Sequence, residues 1–109
     1  MSAPRELPGT KLWLDDLRPA PPGWLWVKTA WEAMELLGRG GVVEISLDHD
    51  LGGDENGNGY HVANWIEAEA YHRRGARIAW KIHSANPIGA ERMQRALERA
   101  DASWEKPAG

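Results

Sequence analysis

No cysteine occurs among the 109 residues, and no apolar run approaches the roughly 18 residues that a membrane-spanning helix requires. The first absence excludes a disulfide frame and a thiol nucleophile, and the second argues against a membrane protein. Residues Met1 to Thr10 lack the apolar centre of a secretory leader, so a cytoplasmic location is the expectation. Phenylalanine is missing while tryptophan occurs seven times, and bulky filling of the core is the simplest expectation for so many indoles. A basic surplus is missing too. The net charge of −3 gives no field for duplex DNA, so a nucleic-acid ligand would have to be held locally. No feature marks a protein partner.

The hydrophobic share of 42% and charged share of 27% are those of a soluble globular domain. A single domain of this length buries roughly two-thirds of its unfolded surface. Pro4, Pro8 and Gly9 mark residues 1–10 as a flexible lead-in, leaving residues 11–109 as one domain.

That domain is organised around Ile45 to Gly52, ISLDHDLG. Val42, Val43, Ile45 and Leu47 form an apolar strand that stops at Asp48, His49 and Asp50, groups that are costly to bury unpaired. The same pattern, a strand ending in polar groups, recurs in Lys11 to Asp16 and in Ile78 to Asn86. Three strands that end alike point to one shared edge. Between them, Trp24 to Lys28 reads as a strand and the prolines of Leu17 to Gly23 as a loop. TAWE starts a helix at Thr29, which Gly38 closes. Gly52 to Gly59 reads as a mobile loop over the site, and a helix follows from Gly59 or Tyr60 to Gly75. Arg77 to His83 reads as a strand, Asn86 with Pro87 as the cap and first residue of a last helix, and SWEKPAG as a short fifth strand. Strands alternating with helices predict a mostly parallel sheet whose ligands bind beyond the carboxyl ends of the strands.

Asp15 and Asp16 alone would read as a turn. Joined by Asp48 from a second strand end, they form a carboxylate group suited to Mg²⁺ or another hard divalent cation, with Asp50 as a further ligand candidate. His49 and His83 offer a general base and a general acid on either side of a phosphate. Ser84, the helix start at Asn86, Arg18 and Lys106 are candidates to bind its oxygens. His61 and His72 are read as surface or helix-end groups.

In order, Asp15 with Asp16, Asp48, Ser84, and Lys106 with Pro107 resemble the marks of the receiver domain of bacterial response regulators. That resemblance implies a flavodoxin-like three-layer sandwich with a five-stranded sheet. The proline loop replaces the first helix, and the final helix is missing. LWLDDLRP, SLDHDLGG with a following GY, and IHSANPIG resemble the divergent receiver-like group of cyclic-phosphate processing domains. The implied activity is a metal-assisted phosphoesterase opening a cyclic phosphate, for instance a 2′,3′-cyclic phosphate on a nucleotide or RNA end. His49 and His83 would serve as acid and base, with the order between them open, and Asp48 would join the catalytic group. The alternatives are a stand-alone receiver phosphorylated on Asp48, and a noncatalytic nucleotide-binding module.

Overall fold

The computed structural model describes residues 9–107; most of the expected lead-in, and the last two residues of the tail, lie outside the described residues. Strand β1 spans Thr10–Leu14 and β2 spans Leu25–Val27. Helix α1 (Ala30–Arg39) leads to β3 (Val42–Leu47), and a short 3₁₀ turn at Asp54–Asn56 precedes α2 (Gly59–Tyr71). Strand β4 (Ala79–Ile82) and α3 (Pro87–Glu105) are the last elements among the described residues. The four strands are parallel in the order β2-β1-β3-β4.

Local chemistry explains most boundaries. Thr29 Oγ1 accepts the Glu32 amide, as its capping pattern predicts, while the Glu32 carboxylate takes the Lys28 amide. Helix α1 passes through Gly38 and ends at Arg39, with Gly40 rather than Gly38 providing the positive φ of the exit. Helix α2 opens with a reciprocal cap between Asn58 and His61: Asn58 Oδ1 accepts the His61 amide, and His61 Nδ1 accepts the Asn58 amide. It ends at Tyr71, short of Gly75. The fifth strand is replaced by helix. Trp104 stands four residues after Ala100, so the stripe of Met93, Ala96, Leu97 and Ala100 keeps its helical period, and the segment never acquires a strand's alternation.

Crossover handedness then sets the layers. The steps from β2 to β3 and from β3 to β4 run in the same direction, so right-handed connections put α1 and α2 on one face. Helix α3 packs beside α2. The step from β1 to β2 runs the other way, and its connection is the proline loop. Hence the described residues form two layers, not the three expected. Leu12, Leu14, Val27, Ile45 and Leu47 face the helices and form the core with Val62, Ile66, Met93 and Leu97. On the opposite face the register aligns Trp13, Trp26, Ser46 and Lys81. None of the seven tryptophans is fully buried; Trp65, Trp80 and Trp104 are partly buried and pack against the core, so the core-filling expectation holds for these three. Two others fasten the loop that stands in for a helix: Trp13 Nε1 donates to the Arg18 carbonyl, and Trp26 Nε1 to that of Asp15. No described helix is long and apolar enough to cross a membrane.

Candidate active site

Parallel pairing of β1 with β3 brings Leu14 beside Leu47, so Asp15 and Asp48 emerge together at the carboxyl edge. The Asp48 amide donates to the Leu14 carbonyl, and the His83 amide to that of Leu47. Carboxylate oxygens of Asp15, Asp16 and Asp48 lie within 4.8 Å of one another. They line an open cleft with Leu17, Arg18, Asp50, Gly52 and Ala85.

Asp15 is only 1% exposed. Its Oδ1 accepts the amides of Leu17 and Arg18 at 2.8 Å, and its Oδ2 lies 3.0 Å from His83 Nε2. Burial alone would raise this carboxyl; the two amides and His83 outweigh it and hold the group below its ordinary range. Asp48 goes the other way. Burial, then the neighbouring Asp15 charge and more weakly that of Asp16, raises its carboxyl, although the His49 amide bonded to Oδ1 opposes the shift. An all-oxygen cluster with one strained member fits a hard divalent cation, which would relieve the repulsion it now carries. Asp50 lines the cleft but lies outside the trio; its Oδ1 is taken by His49 Nδ1 at 2.8 Å and Asn86 Nδ2 at 3.4 Å. The His49 bond is the main reason that its carboxyl sits below the ordinary value.

The two histidines have different situations. Both His83 nitrogens are engaged: Nε2 with Asp15, and Nδ1 with Ser46 Oγ at 2.8 Å. Its ring stacks on Trp13 with centroids 3.9 Å apart and planes 6° apart. Burial lowers its pKa by more than Asp15 raises it, so the neutral ring is favoured, donating to Asp15 and accepting from Ser46. Among the described residues His49 is hydrogen-bonded through Nδ1, to Asp50, and its ring lies against Gly89 in the first turn of α3, where a Cβ would collide with it. It opens onto a neighbouring hollow with Leu51, Gly53, Asp54 and Asn58, and Asp50 and Gly52 line both spaces. The two imidazoles thus differ in environment: His83 is tied to Asp15 and Ser46, while His49 pairs with Asp50 and faces the neighbouring hollow.

Ser84 Oγ accepts the Asn86 amide, and Asn86 Oδ1 caps α3 through the Gly89 amide. Arg18 lines the cleft and anchors one guanidinium nitrogen to the His83 carbonyl at 3.2 Å. Lys106 is a misplacement. It follows α3, a 19-residue helix about 28 Å long at about 1.5 Å per residue that starts at the site, and its carbonyl is held by Arg73 far from the carboxylates. The Gly52 to Gly59 loop is better fastened than expected: Asn56 Nδ2 holds the Leu51 carbonyl, and buried Gly57 packs beneath Ala30 and Trp31. Trp13 and Ser46 escaped notice as site residues. Ser46 did leave a signal, being a hydroxyl at a buried position of an apolar strand.

A family model, the cyclic-phosphate processing receiver domain, matches residues 10–99. The chain belongs to this family. No curated protein and no solved structure matches it. The match to this cyclic-phosphate processing receiver domain spans every described strand and most of α3, and it includes the carboxylate trio and both histidines. It stops before Lys106, the residue that the fold also removes from the site.

Proposed function

We propose that this receiver-like domain hydrolyses a cyclic phosphate, with the phosphate in the carboxylate cleft and the ring-opening proton transfer assigned to His49. The observation that carries the reading is the His49–Asp50 pair beside the Asp15, Asp16 and Asp48 cluster, with Asp50 facing both spaces. Asp50 accepts from Nδ1 and fixes the tautomer, so Nε2 is the nitrogen left to exchange a proton with substrate. In the net reaction the oxygen of water bonds to phosphorus, one ring P–O bond breaks, and the freed ribose oxygen takes up a proton. His49 Nε2, unprotonated while Nδ1 donates to Asp50, takes the proton that the attacking water loses and passes it to the freed ribose oxygen. Asp15, Asp16 and Asp48 would hold the divalent cation, which supplies charge neutralisation at the phosphoryl oxygens when bound. His83 acts through Asp15: with Ser46 and Trp13 it fixes the direction of that carboxylate, making it a positioning residue. Arg18 supplies a guanidinium for the phosphate oxygens.

The test incubates the protein and Mg²⁺ with a 2′,3′-cyclic mononucleotide and follows monoester formation by chromatography. His49→Ala should lower the rate by about 10²- to 10⁴-fold. His83→Ala should act chiefly by raising the Mg²⁺ concentration needed for half-activity. Turnover of His49→Ala at the wild-type rate would sink the assignment. The receiver-like position of Asp48 favours a second reading, phosphoryl acceptance. A lasting mass gain of one phosphoryl group from a small phosphodonor, without ring opening, would replace the first reading with it.

A further inference from the structure

The sheet face without helices carries its own set of side chains. Trp13 lies flat against His83, and Trp24 stands edge-on to Trp13 with centroids 6.0 Å apart and planes at 78°. Lys11 Nζ and Lys81 Nζ reach the Trp24 ring at 5.6 and 5.8 Å, and Lys28 Nζ lies 4.4 Å over Trp26. Along the strands these three lysines are set against Glu44, bridged to Lys11 and Lys81, and at the carboxyl edge of the same face Asp15 is taken by His83. Away from that edge the face is cationic on a chain whose net charge is −3. Among the strand residues the large exposed apolar side chains are Val43, at the β3 irregularity, and Leu25, which lies in the row of Leu12 on the helix side, so the strands offer little aliphatic area here for a protein partner.

Resting on the function proposed above, we propose that this face is the platform for a single-stranded RNA segment whose terminal cyclic phosphate enters the cleft. Rings flanked by lysines suit successive bases and phosphates: base–aromatic stacking tolerates any sequence, and phosphates demand the positive charge. Continuity comes from Trp13, which touches His83 at the site and Trp24 on the platform. The preferred substrate is then an RNA end rather than a mononucleotide. A second copy of the chain fits poorly, because an isologous contact would set lysines against lysines.

The test measures binding by fluorescence anisotropy of labelled oligoribonucleotides that end in a 3′-phosphate and cannot turn over. A hexamer should bind at least about tenfold more tightly than a labelled mononucleotide 3′-phosphate, because each further base stacked on a ring adds affinity. Trp24→Ala should remove about tenfold of the hexamer's affinity, and Lys81→Gln should reduce the salt slope of log K by about 0.7. Lys81 is exposed, so its variant reports even if Trp24→Ala folds poorly. Equal binding of hexamer and mononucleotide, a Lys81→Gln slope equal to wild type, or dimerisation through this face by sedimentation would each overturn the platform. Tight hexamer binding without opening of any cyclic phosphate would leave the platform standing and remove the hydrolase. Opening of a cyclic mononucleotide with no gain for the hexamer would do the reverse.

Discussion

Asp48 bears the repulsion that the cleft creates. Because burial and the Asp15 and Asp16 charges raise its carboxyl, whatever stability it contributes is complete below about pH 4, its ordinary range, and is lost as pH rises through the raised folded value. Asp48→Asn keeps the shape and removes the charge. Without metal, the variant should melt above wild type at pH 7.5, and the Mg²⁺-induced rise in Tm should disappear; scanning calorimetry with EDTA and with Mg²⁺ measures both. A lower metal-free Tm would show that Asp48 is not strained. His83 and Asp15 have the opposite sign. The folded state lowers the His83 pKa, so its contribution is complete above about pH 6.5 and declines as pH falls through the folded value, and Asp15 adds a further loss below about pH 4. Between pH 7.5 and 5 the gain from Asp48 opposes the loss from His83, so the signature of His83 is the difference: the metal-free urea midpoint of His83→Gln should fall less, or rise more, than that of wild type over that interval. At this scale the sequence displayed the carboxylates plainly, since each ends an apolar run. It could not show that both His83 nitrogens are taken, because Ser46 and Asp15 reach them only through strand pairing across 37 and 68 residues.

Helix α2 shows why elements were easier to place than their ends. The spacing of Val62, Ala63, Ile66 and Ala70 marks the helix from the sequence, and all four are buried. The docking of its first turn was hidden in a stretch whose glycines and asparagines suggest mobility. Gly59 is buried; its amide donates to the His49 carbonyl, and a Cβ there would collide with the Asp48 carbonyl oxygen and crowd Met93. This glycine is needed for close approach, not for flexibility. Gly59→Ala should cost about 1–3 kcal/mol, the range for overpacking, and should shift Asp48 as well, since the clash falls on its backbone. Urea denaturation gives the first effect and Mg²⁺ titration the second. A variant as stable as wild type with unchanged Mg²⁺ affinity would mean that the helix start yields freely.

At the scale of the molecule, alternation of strands and helices was enough to indicate a parallel sheet with its site at the carboxyl edge. The count of layers was not. That depended on whether the proline loop and the tail build elements on the second face, and the tail's indole at the helical position Trp104 drew it into α3 instead. One consequence is that apolar burial is concentrated between the sheet and a single layer of helices. Leu97, fully buried in α3, lies in that core, whereas the Lys81 side chain on the opposite face is 66% exposed. Leu97→Ala should cost about 2–5 kcal/mol, a large part of the roughly 5–15 kcal/mol that holds a typical domain. Lys81→Ala should stay within about 0.5 kcal/mol, because its pairing with Glu44 is a surface contact. Urea unfolding of the two variants under one set of conditions decides the matter: comparable losses would mean that the lysine-bearing face is itself structural, and a wide separation leaves it free to bind.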